Sequence, residues 1–303
     1  MRRRIRYERL PTERPDPRSR SLDTLSPIRI ARLMNQGESR AVRAVGRAAP
    51  AIGRAVEQIV RALGRGGRLI FVGAGTSGRL GVLEAAECPP TFDTPPALVQ
   101  AIIAGGRGAV FRSREGAEDD AADGARQVRR RVRAGDVVVG IAASGVTPFV
   151  GAALAEARRR RAATVLVTCN PNAGRRAARV VIALSVGPEA LAGSTRLKAG
   201  TASKLVLNTL TTAAFARLGR VYGNRMVDLR PRSAKLRARA LRLVREIGRV
   251  GEREAERLLA RAGGSAKLAI VMARLKLPPA AARRRLGARG GALRAALARR
   301  GAG

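Results

Sequence analysis

The sequence predicts a doubly wound α/β fold, in which a parallel five-stranded sheet is covered by helices on both faces. Two observations point to this fold class. Five short apolar runs, each bounded by turn residues, recur along the middle of the chain. Segments with helical spacing of apolar residues lie between several of these runs, an alternation typical of a parallel sheet buried on both faces.

The first 26 residues come before any helical pattern. They are rich in Arg, Pro and Ser and lack apolar periodicity, so residues 1–26 are expected to form a basic flexible arm or a strap over a neighbouring segment. From Pro27 apolar residues recur at near-helical spacing as far as Gly66 and Gly67, which form a helix stop. Two or three helices are therefore expected before the first strand.

The apolar runs and the helices between them form the expected sheet domain, residues 27–228. The predicted strands are 69–72, 98–103, 137–141, 164–167 and 180–184. Helices are predicted at 81–86 and 149–160, and a long one at 198–218.

No strand is predicted beyond residue 228. Helical spacing returns in four segments separated by Gly-Gly or Pro-Pro stops, at 236–247, 254–262, 266–275 and 280–286. Residues 229–303 are therefore expected to form a small C-terminal helical bundle with solvated, Arg-rich faces.

The composition limits both partners and chemistry. A formal net charge of +38 raises the question of an anionic partner. The arginines are spread along the whole chain, however, without a zinc-finger spacing or an aromatic RNA-binding signature, so no specific nucleic-acid partner is expected. Because the chain contains no histidine, carboxylates would have to move protons in any enzyme of this sequence.

Cysteine usage and hydropathy indicate a cytoplasmic protein. Cys88 and Cys169 lie in or beside apolar stretches, so reduced thiols are expected rather than a disulfide or a thiolate metal site. No apolar run approaches the roughly 20 residues that span a bilayer, and no apolar leader follows the basic start. Neither a metal nor a membrane partner is expected.

A glycine-rich turn, GAGTSG at 73–78, follows the first predicted strand and opens a helix. Glycines such as Gly75 let the backbone approach an anion, while Thr76 and Ser77 add hydroxyl donors at the positive end of the helix. The turn lacks the lysine of a nucleotide P-loop, and no acidic strand end stands where a dinucleotide site requires one. It therefore predicts a phosphate site, with a purely structural turn as the alternative.

A second turn of this kind, AASGVTP at 142–148, follows the third predicted strand. Carboxyl ends of parallel strands can converge on one ligand, so Ser144, Gly145 and Thr147 are expected to share a sugar phosphate with the first turn. Helix capping by Ser144 and Thr147 is the alternative, and it is compatible with phosphate binding.

Two glutamates are candidates for proton transfer. Glu87 is followed by Cys88, Pro89 and Pro90, so the chain is expected to leave the helix there and to present the carboxylate near a loop. Glu118 lies in an acidic island, EGAEDD at 115–120, within a strongly basic chain. Ordinary acidic helix ends are the alternative for both residues.

The segment FVGAGTSGRLGVLEAAECPPTF at 71–92 resembles the signature of the N-acetylmuramic acid 6-phosphate etherases, a family with the sugar-isomerase (SIS) fold. Further segments follow in the order and spacing of that family: AIIAGG at 101–106, EGAEDDA at 115–121, VVVGIAASG at 137–145, VGPEALAGSTRLKAGTASKLVLN at 186–208 and VYGNRMVD at 221–228. Segments 22–35 and 263–272 are also similar. Three positions depart from the family pattern, since Val146, Phe149 and Ser203 stand where Arg, Tyr and Gln are expected.

The resemblance implies a reaction and a set of residues. The reaction is cofactor-independent cleavage of the D-lactyl ether of N-acetylmuramate 6-phosphate, which yields N-acetylglucosamine 6-phosphate and D-lactate in cell-wall recycling. Glu87 matches the proton donor of the family and Glu118 its second essential glutamate, taken here as the base, although which residue is acid and which is base stays open. Ser194, Thr195 and Lys198 would complete the pocket, and a homodimer is implied.

Three other functions remain open at this stage. A sugar-phosphate isomerase of the same fold would abstract the same C2 proton but needs no leaving-group acid. A sugar-phosphate sensor would need neither Glu87 nor Glu118. A nucleic-acid-binding module is the third alternative.

Overall fold

The computed structural model of the chain describes residues 10–172, 178–228, 231 and 233–298. The chain divides into two units, Met1–Ala86 with Ala97–Thr211 and Glu87–Pro96 with Thr212–Gly303. The second unit thus begins before the boundary expected at residue 229, and it also takes in the end of a helix from the sheet region.

Two helices precede the sheet in the first unit, as predicted. They are α1 (Pro27–Arg47) and α2 (Ala49–Gly64), and each has a proline in its first turn, where a missing N–H costs nothing. Before them, residues 10–26 pack as a strap that buries Leu10, Thr12 and Asp16.

The sheet of the first unit has five strands: β1 (Leu69–Gly73), β2 (Val99–Ile103), β3 (Val137–Ile141), β4 (Ala163–Thr168) and β5 (Val180–Ala183). Their order is β2-β1-β3-β4-β5 and every pairing is parallel. All residues of β1 and β3 are buried, which explains their continuous apolar sequence. The predicted five-stranded α/β fold is confirmed.

Four helices accompany these strands: α3 (Gly75–Phe92), α4 (Ala121–Arg131), α5 (Pro148–Arg159) and α6 (Lys198–Arg217). From β1 the chain turns to β2 on one side, and from β3 it continues to β4 on the other. The connections after β1 and β3 therefore diverge and leave a crevice at the carboxyl ends of these strands.

Helix α3 is longer than the sequence predicted. The expectation that the chain leaves the helix after Glu87 was wrong, because α3 continues through Pro89 and Pro90 to Phe92. Cys88 and Phe92 are buried, and the Phe92 ring stacks on Phe215 with 4.6 Å between ring centroids. This packing holds a helical turn that two prolines alone would end.

The second unit is helical, with a short antiparallel ribbon of β6 (Val221–Tyr222) and β7 (Arg225–Met226). Its remaining helices are α7 (Ala234–Gly248), α8 (Glu252–Arg261), α9 (Ala266–Leu275), α10 (Pro279–Gly287) and α11 (Leu293–Leu297). Helix α9 lies at the centre, since its residues 266–273 are all buried. The C-terminal helices were predicted, but α11 and the ribbon were not.

Neither Cys88 nor Cys169 forms a disulfide, and both are buried. Within the described ranges, no helix is both long enough and apolar enough to cross a membrane.

Candidate active site

A cavity of about 240 Å³ lies in the first unit, where β1 and β3 end. Its walls come from five segments: the strap, the turn after β1, the acidic loop before α4, the turn after β3 and the loop before α6. The two predicted hydroxyl-bearing turns and the acidic island therefore meet around one cavity.

The turn after β1 is shaped by close backbone approach. A Cβ at Gly73 would lie 2.7 Å from the backbone N of Gly78, so any larger residue would push the strand end and the helix apart. Helix α3 begins immediately, and Gly75, Thr76 and Ser77 line the cavity. Backbone N–H groups of a first helical turn lack partners within the helix and carry partial positive charge, so they suit an anionic ligand.

The turn after β3 supplies two more hydroxyls. Thr147 precedes α5, but among the described residues its side chain makes no capping hydrogen bond. The Ser144 hydroxyl accepts a hydrogen bond from the Val146 N–H at 3.3 Å and keeps its own proton to donate. Both side chains line the cavity, whereas Gly145, with φ of 71°, forms the turn without lining it.

Glu118 lies in the cavity wall beside Asp119. Its backbone carbonyl accepts a hydrogen bond from the Phe149 N–H at 3.0 Å, which ties the acidic loop to the start of α5. Partial burial, followed by the charges of Asp119 and Glu115, raises the pKa of the Glu118 carboxyl. A carboxyl with a raised pKa exchanges protons more readily near neutral pH.

The loop before α6 is only partly as predicted. Thr195 lines the cavity together with Gly193, but Ser194 and Lys198 are not among the lining residues. The Lys198 ammonium is buried, donates to the Pro188 carbonyl and lies 3.8 Å from Asp16 Oδ2. Burial is the main cause that lowers the pKa of Lys198, against the opposing charges of Glu189 and Asp16.

Glu189 was missed by the sequence reasoning. Its carboxylate oxygens accept the backbone N–H groups of Lys198 and Ala199 at 3.0 and 2.9 Å, which caps the first turn of α6. An acid nine residues before a helix gives no local capping signal, because capping residues are sought next to the first turn. Burial raises the pKa of Glu189.

Asp16 of the strap lies beside the buried Lys198 and so ties the strap to the start of α6. The guanidinium of Arg18 donates to Asp16 and lowers the pKa of that carboxyl to about 2.

Glu87 does not line the cavity. It is an exposed residue of α3 and belongs to the second unit. A carboxylate that no sequence pattern singled out, Glu13 of the strap, lines the cavity instead. The strap lacks periodicity and glycine signals, so its residues could not be assigned to a site from sequence.

The cavity wall contrasts in charge with the rest of the protein. Lys and Arg make up 60 of the 303 residues, yet among the described residues that line the cavity none is Lys or Arg. Val146 lies in the wall where the family pattern has Arg, whereas Phe149 is fully buried and does not line it. An anion would therefore be held here by hydroxyls and backbone N–H groups.

Known proteins resemble this chain over part or most of its length. Residues 51–158 match the family described as the glucokinase regulatory protein N-terminal SIS domain. A protein from Symbiobacterium thermophilum named N-acetylmuramic acid 6-phosphate etherase is 52% identical, over 88% of this chain and 89% of its own. Proteins of the same name from Rubrobacter xylanophilus and Synechocystis sp. are 50% and 48% identical, over 96% and 94% of this chain and 97% and 94% of their own.

Proposed function

The chain belongs to the N-acetylmuramic acid 6-phosphate etherases, and we propose that the cavity at the carboxyl ends of β1 and β3 is the site where it acts. It is a carbon–oxygen lyase that cleaves the lactyl ether of N-acetylmuramate 6-phosphate in peptidoglycan recycling. One observation carries the assignment of the site: two hydroxyl-bearing turns and a carboxyl of raised pKa line the same cavity.

The substrate phosphate binds between the two turns. Thr76 and Ser77 donate from the first turn of α3, and Ser144 and Thr147 donate from the turn after β3. The free N–H groups of α3 add to these hydroxyls, so the dianion is held without a guanidinium. Thr195, in the loop before α6, is placed to contact the sugar.

Elimination begins on the open-chain sugar, where the C1 aldehyde makes the C2 proton acidic. Glu118 takes that proton as a general base, the electron pair of the C2–H bond forms the C2–C3 double bond, and the C3–O bond breaks. The departing lactyl oxygen takes a proton from a carboxylic acid, and D-lactate leaves. The remaining product is an unsaturated aldehyde.

Water then adds to the unsaturated aldehyde. Its oxygen bonds to C3, and the proton it releases goes to the carboxylate that served as the acid in the elimination. The carboxyl that served as the base then returns its proton to C2. Glu87 is proposed as the partner of Glu118 because it matches the proton donor of the family; this role rests on that match alone, since Glu87 is not among the cavity residues. The product is N-acetylglucosamine 6-phosphate.

The experiment that tests this site is D-lactate release from N-acetylmuramate 6-phosphate, with Glu118→Gln beside the wild type. Removing a general base is expected to lower kcat/KM by at least about a hundredfold. Glu57→Gln, which changes an exposed glutamate of α2, is the matched control and should retain full activity. Glu87→Gln, assayed in parallel, tests the second role.

Two outcomes would contradict the proposal. Full activity of a folded Glu118→Gln protein would exclude this carboxylate from the reaction. Wild-type protein that binds the sugar phosphate and releases no lactate would instead favour the isomerase or the sensor.

We further propose that the protein acts as a homodimer in the cytoplasm. The support for the dimer is the family resemblance, and the support for the location is the pair of cysteines, Cys88 and Cys169, that form no disulfide. Sedimentation equilibrium, at a salt level that suppresses nonspecific anion binding, measures the oligomeric state directly.

A further inference from the structure

Glu13 places a carboxylate in the cavity from the strap. Its backbone N–H donates to the Leu10 carbonyl at 3.0 Å, and its Oε1 accepts a hydrogen bond from the Thr12 hydroxyl at 3.0 Å. The Thr12 side chain is itself buried. Glu13 is exposed, and its carboxylate is oriented by the hydrogen bond from this buried neighbour while the turn fixes its backbone.

The loop before α6 lies beside the strap and leaves room for this carboxylate. Gly193 donates its N–H to the Thr12 carbonyl at 3.1 Å, which joins the strap to the loop before α6. A Cβ at Gly193 would lie 3.1 Å from Glu13 Oε2, and the φ of Gly193 is +79°. A side chain at position 193 would both strain the backbone and crowd the carboxylate.

The charge environment of Glu13 determines which ligand group it can take. Among the described residues no Lys or Arg lines the cavity or forms an ion pair with Glu13, so the carboxylate keeps accepting capacity directed at the ligand space. A carboxylate repels phosphate and accepts hydrogen bonds from hydroxyls. The cavity thus has neutral donors for the anion in its two turns and an acceptor for hydroxyls on its strap.

We propose that Glu13 is a specificity-determining substrate ligand, whose carboxylate accepts a hydrogen bond from a hydroxyl of the sugar chain while the phosphate occupies the two turns. This inference rests on the proposed function only in taking the ligand to be a sugar phosphate. It assigns to the strap a direct part in recognition, so that the sugar is oriented with its hydroxyls toward Glu13 and its phosphate away from it.

The test compares two ligands by isothermal titration calorimetry: N-acetylglucosamine 6-phosphate, which carries the hydroxyls, and inorganic phosphate, which does not. Glu13→Ala is expected to weaken binding of the sugar phosphate about tenfold, as loss of a hydrogen bond to a charged group implies. Binding of inorganic phosphate should be unchanged or tighter, because the variant removes a negative charge. Arg14→Ala, an exposed strap residue outside the cavity wall, is the matched control.

A second variant changes the residue of the α6 loop that lies against the same carboxylate. Gly193→Ala is expected to displace Glu13 and to reproduce the selective loss of sugar-phosphate affinity. Equal weakening of both ligands by Glu13→Ala would show that the strap only maintains the cavity, and unchanged affinity for the sugar phosphate would also overturn the proposal. Because the assay needs no turnover, a selective loss in Glu13→Ala together with wild-type protein that releases no lactate would refute the etherase site and leave Glu13 as a sugar ligand.

Discussion

The two edges of the central sheet carry cavities of opposite character. At the amino ends of β3, β4 and β5 lies the larger one, about 610 Å³, and its wall contains five arginines: Arg61, Arg65, Arg158, Arg161 and Arg179. At the carboxyl ends lies the smaller one, about 240 Å³, with hydroxyls and carboxylates. The proposed site is thus the smaller and less basic of the two cavities, and its place at the carboxyl ends of the strands is what favours it.

Helix direction explains the difference. Helices that follow strands begin at the carboxyl edge, whereas helices that precede strands end at the amino edge. Arg61 lies in the last turn of α2 and Arg158 in the last turn of α5, where cations offset the negative ends of the helix dipoles. Two of the five arginines of the larger cavity therefore have a structural reason to be there that needs no ligand.

The largest expected effect is a loss of stability, without a loss of activity, when a buried carboxylate at the amino edge is changed. Asp136 is buried and accepts hydrogen bonds from the backbone N–H groups of Arg68 and Arg133 and from the Arg68 guanidinium. Asp136→Asn is expected to lower the free energy of unfolding by about 3 kcal/mol, since it breaks a buried charge pair. Urea unfolding measures this loss, and Asp23→Asn, an exposed control, should change stability by less than about 0.5 kcal/mol.

The kcat/KM of folded Asp136→Asn protein should equal that of the wild type. A loss of activity without a loss of stability would mean that the amino edge takes part in the reaction, and the comparison of the two edges would fail.

An intermediate effect is expected from matched changes at the two edges. Ser144→Ala and Thr147→Val each remove a proposed donor to the phosphate and should raise KM by about five- to tenfold. At the other edge, the double variant Arg61→Gln and Arg161→Gln should leave KM within about twofold. Both KM values come from lactate release at one ionic strength. A larger rise for the arginine variant would assign phosphate binding to the amino edge.

The smallest effect concerns pH. Glu118 has to be deprotonated to act as the proposed base, so activity should fall as pH falls through its raised pKa. Burial is the main cause of that increase and the charge of Asp119 is the second, so Asp119→Asn should lower the pKa of Glu118. The acidic limb of the kcat/KM profile is therefore expected to move to lower pH. An unmoved limb would show that another group controls it.

Much of the fold and part of the proposed site follow from local sequence patterns. The five strands are continuous apolar runs, and the turns after β1 and β3 combine glycine with hydroxyl residues, so both were predictable. Distant contacts decide the rest. Stacking of Phe92 on Phe215 carries α3 past two prolines, and the buried cluster with Asp16 and Glu189 keeps Lys198 out of the cavity wall.

Glu13 shows the same limit on the functional side. Its position depends on a backbone hydrogen bond between the strap and Gly193, residues that are far apart in the chain. No periodicity or motif in the strap encodes that contact.

The cavity without lysine or arginine has a consequence for the conditions in which the protein can work. Dissolved ions weaken attraction between opposite full charges over a Debye length of about 8 Å at physiological ionic strength, whereas hydrogen bonds from hydroxyls and N–H groups act at contact. At high ionic strength, nonspecific anions would therefore leave the arginine-rich surface of the protein first. Binding of the substrate phosphate at the proposed site would weaken less, because hydroxyl and N–H groups donate to it at contact.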